Sequence, residues 1–256
     1  VAAAMALKAG GINGMFRAKA LIDIDASSSG TETLEAAIAY KQENLTDENM
    51  IVCWPMAVKD GRKYHLSTQL AGVMTQTDSG NDGCPYESPS SKAMAADAMV
   101  LASGEEVMLS HPQANMLNAQ GIVTGLNFIG SLVAWGNYTA AYPGSRGEEV
   151  CFIPLARVFD WVGNTVIRTL WSKLDAPINR RLMDTVVDEI NIWLNGLVGS
   201  GYLYGARVEA PEDENTQENL QAGIIKVHIY LASPSPAQEI SVTLEYDSSY
   251  VTAAMQ

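Results

Sequence analysis

Histidine and cysteine are scarce in this sequence, with three of each among 256 residues. Cys53, Cys84 and Cys151 are odd in number and widely spaced, and no Cys-X-X-Cys pair or Cys/His cluster occurs. That pattern argues against a disulfide framework and against a zinc site. Positive charge is short as well: Lys and Arg total 16 against 29 Asp and Glu, a formal net charge of -13. Sliding on nucleic acid or resting on anionic lipid needs basic surface, so neither is expected. No apolar run reaches the roughly 18–20 residues of a membrane span, so membrane insertion is not expected either. The opening VAAAMALKAGGINGMF lacks a basic n-region and a proper apolar h-region, so no secretion signal is expected and the chain reads as cytosolic in origin. Without such a signal the sequons at Asn44 and Asn137 carry no meaning.

What remains is ordinary globular material, 47% hydrophobic and 18% charged, enough for one large domain or two smaller ones. Residues 18–25 alternate as a strand, and Thr31 is placed to cap a helix running through Glu43. Met50–Val58 reads as one buried strand, Lys59–Lys63 as a turn around Asp60-Gly61, and Tyr64–Thr77 as a second helix. This strand–helix–strand–helix order predicts an α/β sheet. Asp78–Ala93, rich in Ser, Gly, Asp and Pro, reads as a surface loop. His111–Ala119 reads as a short helix opened by Pro112. Ile122–Val123, Leu126–Ile129 and Leu132–Trp135 read as short strands broken by glycines. A Gly/Pro/Ser cluster at Pro143–Gly147 marks a domain boundary.

Beyond it, Leu155, Val158, Phe159, Val162, Val166, Leu170 and Trp171 recur at helical spacing, with Gly163-Asn164 as a kink. Pro177 opens a second helix with the stripe Leu182, Val186, Ile190, Trp193 and Leu197, closed by Gly196 and Gly199. An acidic, turn-prone segment follows from Glu209 to Glu218. Ile225, Val227, Ile229 and Leu231 then share one strand face. Ile240, Val242, Leu244 and Tyr246 share another with strict period two. Ser233-Pro234-Ser235-Pro236 joins the two runs.

Chemistry is hard to place on this pattern. Asp23 or Asp25 with His65 would stand in the chain order of a subtilisin-type triad, yet no nucleophile motif lies downstream and no G-x-S-x-G occurs. Gly10-Gly11 and Gly199-Ser200-Gly201 lack phosphate-loop spacing and read as turns. The acidic run lacks the Asp/Asn alternation of a calcium loop. No enzymatic activity, metal or cofactor is expected. Arg168, Lys173, Arg180 and Arg181 make one local basic cluster in an acidic chain. It reads as a solvated helix face or as a contact for an acidic partner.

Three stretches are long and specific: WGNYTAAYP at 135–143, NRRLMDTVVDEINIWLNGLVGSGYL at 179–203, and the SPSPAQEI…LEYD ending. In these the chain resembles contractile phage tail sheath proteins. The resemblance implies a mixed-sheet, subtilisin-like α/β domain without protease function over residues 1–145. A smaller α/β C-terminal domain with two long helices and a small sheet would occupy 146–247, and an extended tail 248–256. The family normally carries a longer N-terminal part with an extended arm. The implied protein is a structural virion subunit, made in the host bacterial cytoplasm. Its copies would form stacked hexameric rings around a tail tube, between baseplate and tail terminator proteins. Contraction would drive the tube through the host envelope, using energy stored in a metastable assembly. Related contractile injection systems and bacteriocins share this design. A hydrolase on a subtilisin-like scaffold, or a tube or capsid component, are the rivals. The resemblance further implies that Arg168, Lys173, Arg180 and Arg181 face the tube. It also implies that the edge strand carrying Ile240, Val242, Leu244 and Tyr246 takes part in strand exchange between copies, paired in its own subunit with Ile224–Ala232 in an open-edged sheet.

Overall fold

The computed structural model of the chain describes residues 17–27, 30–145, 147–247 and 250. Gly10-Gly11 and, Tyr250 excepted, the tail from 248 lie outside these. The chain begins with β1 (Ala20–Asp23), α1 (Leu34–Asn44) and β2 (Met50–Cys53). A hairpin of β3 (Met56–Lys59) and β4 (Arg62–His65) leads into α2 (Leu66–Ser79), followed by β5 (Ala98–Val100) and α3 (His111–Asn118). The hairpin β6 (Ile122–Phe128) and β7 (Ser131–Trp135) closes the first half. The second half holds α4 (Glu148–Cys151), α5 (Ile153–Leu170), α6 (Arg180–Gly199), β8 (Gly205–Glu209), α7 (Gln217–Gln221) and β9 (His228–Ala232).

The fold is α/β. Its main sheet has the order β1-β2-β6-β7, parallel across β1, β2 and β6 and antiparallel at β7. Every residue of β2 is buried, as expected for a parallel strand covered on both faces. Its side chains alternate between two cores. Met50 and Val52 join Leu34, Ala37, Leu45, Trp54 and Leu117 under α1 and α3. Ile51 and Cys53 join Leu66, Leu70, Val73 and Met99 under α2.

Where sequence expectation and structure part, local chemistry explains the difference. Met50–Val58 is two strands, because Pro55 offers no N–H to a ladder. Arg62–His65 is a strand, where a turn through Lys63 and a helix from Tyr64 are expected: Asp60 and Gly61, at φ 49 and 73, make the tight turn that pairs it with β3. The cap of α1 is Thr33, whose side chain accepts from the Ala36 N–H, while the Thr31 hydroxyl donates to the Asp25 carbonyl. β6 runs unbroken through Gly125, where a Cβ would stand 2.4 Å from Met99 Sδ; the glycine admits a close approach instead of ending the strand. Helix α6 starts after Asn179, whose side chain accepts from Leu182 N–H at 2.9 Å, not at Pro177. Gly196 lies inside it. Helix α5 passes straight through Gly163-Asn164.

The second half builds its own core from Val158, Val162, Val186, Ile190, Leu194, Leu203 and Val208. The loop after α2 is more than surface, because Cys84 is buried in this same core. The loop is anchored near its start by a two-armed Arg157–Asp78 ion pair and by the Tyr202 hydroxyl donating to Asp82 at 2.8 Å. In the other direction Ile153, the first residue of α5, packs into the core beneath α2.

The largest correction concerns residues 239–246. They form no strand, and Ile240, Val242, Leu244 and Tyr246 are 82%, 76%, 92% and 84% exposed. The small sheet is β8 with β9, antiparallel, and β9 starts only at His228. The pattern at 239–246 is that of a strand, but among the described residues it pairs with nothing.

Candidate assembly surface

The triad residues come first, because the structure does bring three of them near one another. Asp23 ends β1, and its carboxylate accepts from the Ser67 N–H at 2.9 Å and from the Ser67 hydroxyl. His65 Nδ1 stands 3.6 Å from the same carboxylate. A hydrolytic triad needs the imidazole between serine and carboxylate. Here the serine hydroxyl is committed to the carboxylate itself, and the His65 ring is 69% exposed. The arrangement is a carboxylate satisfying the first turn of α2, favoured by the helix dipole. Among the described residues no group of three His, Cys, Asp or Glu is placed to hold a metal. All three cysteines are free and buried. Burial pushes the Cys84 thiol up to about 11, the direction of an unreactive sulfur. No helix of the described residues is long and apolar enough to cross a membrane.

Lys41 escaped the sequence reading. It lies on α1 at 1% exposure and donates to the Tyr142 carbonyl, pinning the 135–143 segment onto the first half. Burial lowers its pKa to about 8. Tyr138 stacks on Tyr142 at 3.9 Å and on Phe152 at 5.0 Å. The WGNYTAAYP stretch is thus a packing element, and no reacting group lies in it.

The basic cluster sits where α5 turns into α6. Arg168 and Arg181 are exposed, and Arg180, 95% exposed, lies 3.9 Å from Asp184. Lys173 differs: it is half-buried and paired with Glu189 at 2.8 Å, so it is partly committed within the chain.

Three asparagines are the least expected feature. Each grips the backbone N–H and C=O of one residue, as a neighbouring strand would. Asn164 accepts from Arg17 N–H at 3.1 Å and donates to its carbonyl at 2.8 Å. Asn191 accepts from Val208 N–H at 3.0 Å and donates to its carbonyl at 3.4 Å. Asn215 does the same for Lys226 at 2.9 and 2.8 Å. An amide side chain can do this because it carries one acceptor and a pair of donors side by side. No local motif announces such a role, since the partner is distant in sequence.

The C-terminal segment completes the surface. Pro234–Gln238 lines one wall of a cleft of about 620 Å³ whose other walls include Ser88, Ser90, Trp135 and Tyr138. It delivers residues 239–246 to solvent with their apolar side chains uncovered.

Comparison with known proteins fits this exposed, unfinished surface. No protein-family model matches the chain. It is 28% identical over 217 residues to the tail sheath protein of Burkholderia phage BcepMu, covering 81% of this chain and 45% of that protein. It is 23% identical over 235 residues to the major tail sheath protein of Serratia phage KSP20, covering 88% and 57%. The chain resembles contractile tail sheath proteins. It spans about half the length of the curated relatives it matches. Its fold agrees with the sheath complex of an extracellular contractile injection system, PVC, in the contracted state, at TM-score 0.76 and 20% identity over 96% of this chain and 69% of that one. It agrees also with the contracted helical sheath of the anti-feeding prophage, at TM-score 0.72 and 22% identity over 96% and 66%. At such identities it is the sheath fold that is shared.

Proposed function

We propose that this chain acts as a structural subunit of a contractile phage tail sheath. In this reading copies stack as hexameric rings around a tail tube, bounded by baseplate and tail terminator proteins, and contraction drives the tube through the host envelope. The protein works as part of the virion after synthesis in the host bacterium, and its work is mechanical, not catalytic. What carries the proposal is the similarity to tail sheath proteins over more than four fifths of the chain, together with a strand-patterned segment that finds no partner among the described residues. A sheath of a phage-like injection system is the second reading, favoured by the fold agreement with two such assemblies.

The reading has three finer parts. The chain divides into an α/β unit to residue 145 and a C-terminal unit over 146–247, supported by their separate cores. Ile240, Val242, Leu244 and Tyr246 are the strand-exchange residues, since they alternate as a strand and stand exposed in the single subunit. Arg168, Arg180 and Arg181, with Lys173 held partly by Glu189, face the tube. Exposed charges make a weak, salt-sensitive contact suited to release during contraction. Negative-stain microscopy of the purified protein tests the main reading: long striated tubes are expected, and a strictly monomeric protein under all assembly conditions overturns it. Arg180→Glu with Arg181→Glu tests the last part. Tubes that form normally yet bind tail tube less well are expected, and unchanged tube binding refutes that assignment.

A further inference from the structure

Three asparagines of this chain hold the backbone of a distant residue by both ends of the amide. A fourth is set up to do so without a residue to hold among those described. Asn137 sits in the WGNYTAAYP stretch and is 7% exposed. Its own backbone is committed on both sides: the N–H donates to Asn118 Oδ1 at 3.1 Å, and the carbonyl accepts from the Ile153 N–H at 2.8 Å. The side-chain oxygen is different. It is buried and accepts no hydrogen bond among the described residues. Such an oxygen has given up water without gaining a partner, which is costly and calls for an explanation. Asn164, Asn191 and Asn215 meet the same need by accepting from the N–H of one residue and donating to its carbonyl.

Asn137 lines the cleft of about 620 Å³ that also has Ser88, Ser90 and the Pro234–Gln238 connector in its walls. That volume is in the ordinary range of ligand clefts and well beyond the room one water takes. The Ser88 and Ser90 hydroxyls accept from the Ser90 and Gly136 N–H groups at 3.2 and 3.1 Å, which leaves the hydrogen of each to donate. Asn118 spends its oxygen on the Asn137 N–H and keeps its amide hydrogens for the same use. The charged members of the lining, Glu87 and Lys92, pair with each other, so the cleft has no net charge to offer. Its rings are engaged as well. Tyr138 stacks on Tyr142 and Phe152, Tyr86 lies against Tyr202 at 4.9 Å, and Trp135 meets His111 and gives its indole N–H to Asn115. A sugar ring or a nucleobase needs an open aromatic face. Donors for carbonyls beside one acceptor for an N–H match a peptide backbone instead.

We propose that Asn137 is a fourth backbone clamp, and that the cleft takes an extended, uncharged peptide segment of a partner protein other than this chain. One residue of that segment gives its N–H to Asn137 Oδ1 and receives a hydrogen bond from Nδ2 at its carbonyl, the geometry Asn191 and Asn215 already show. Affinity then comes from main-chain bonds, as it does wherever proteins bind extended peptides. Because Asn118 and Ile153 fix the Asn137 backbone on both sides, the amide meets its ligand already oriented. The chain's own connector is a poor occupant. It forms a wall of the cleft, and Pro234 and Pro236 have no N–H to give. A neutral cleft also gives no reward to residues 239–247, which carry Glu239, Glu245 and Asp247. This binding site goes beyond the sheath-subunit reading and does not depend on it.

The test is selection from a library of random dodecapeptides on the full chain, with the near-isosteric Asn137→Leu variant as counter-target. Enriched peptides should be neutral and should bind the parent about tenfold more tightly than the variant, the scale of the two lost hydrogen bonds. In isotope-labelled parent protein the NMR signal of the Asn137 side-chain amide should shift on binding. Each enriched peptide is then remade with one backbone nitrogen methylated at a time. Methylation at a single position should weaken binding by about threefold to tenfold, the signature of one N–H held by Oδ1, and should make no difference in the variant. Thermal melts report whether the variant folds, and the methylation series on the parent stands without it. Equal binding by parent and folded variant, a flat methylation series, or no enriched peptide and an unmoved Asn137 amide overturns the proposal. Tighter binding of maltotriose, or of a peptide spanning residues 238–247 of this chain, overturns it too: the cleft would then be a saccharide site or a contact between copies.

Discussion

The main sheet and the small C-terminal sheet solve the same problem to different degrees. In the first, β2 is flanked by β1 and β6 and covered by helices on both faces, so its backbone and side chains are satisfied within one chain. In the second, two strands rest on α6, with Asn191 bonded to the Val208 backbone at one edge and no strand paired at the other among the described residues. The chain also carries a strand-patterned segment, residues 239–246, that is unpaired among the described residues. A two-stranded sheet is marginal by itself, and here its stability is borrowed from α6. The contrast teaches that among the described residues one polypeptide holds a sheet closed on both faces and a smaller one that rests on a single helix.

Four measurements sharpen or break that contrast. The largest effects should come from the cores. Ile51→Ala in β2 and Leu194→Ala in α6, both fully buried, should each cost about 2–5 kcal/mol in chemical denaturation. If the halves are mechanically joined, both variants should melt in one transition; two separated transitions would show that they unfold independently. Next, Arg157→Ala strips Asp78 of its partner at the join between the halves. A loss of roughly 1.5–3 kcal/mol is expected, the scale of hydrogen bonds to charged groups, and Lys at this position should recover only part of it.

A smaller effect follows from Lys41, whose pKa burial lowers from 10.5 to about 8. Below about pH 8 both folded and unfolded states hold the proton. Between about 8 and 10.5 the unfolded state holds more of it, so stability should rise with pH across that window. Lys41→Met should remove that rise, and a variant with the same pH slope as the parent would refute the assignment. The smallest effect on stability is expected at residues 239–246. Ile240→Ser with Leu244→Ser should change unfolding by no more than about 0.5 kcal/mol, because these side chains are 82% and 92% exposed in the single subunit. Association of copies should nevertheless fail, as read by sedimentation. A large loss of stability would mean that the segment is packed at home after all.

Much of this was legible in order. The alternation at 18–25, the stripe from Leu155 to Leu170 and the stripe from Leu182 to Leu197 each predict the element found, because periodicity reports directly on which side of an element meets the core. Boundaries were less legible. Pro55 splitting a strand and Asp60-Gly61 turning Arg62–His65 into a partner for β3 depend on ladder geometry, which a buried apolar run does not reveal. Of the candidate site residues, the sequence placed Arg168, Arg180 and Arg181 on a solvated corner, but could not foresee that Glu189 would hold Lys173. It put Asp23 and His65 in a suggestive order, whereas the structure spends Asp23 on the first turn of α2.

The sequence by itself determined the α/β class, the long helices, the shortage of ligand-forming residues and the strand-like alternation of residues 239–246. These follow from local periodicity and composition, which act over a few residues. Only the tertiary structure decided that this alternation goes unpaired among the described residues, that Cys84 belongs to the core of the other half, and that Asn164, Asn191 and Asn215 each bond the backbone of one distant residue as a strand would. Each of those outcomes joins groups distant along the chain, and an amide can replace a strand only where packing brings it within hydrogen-bond reach.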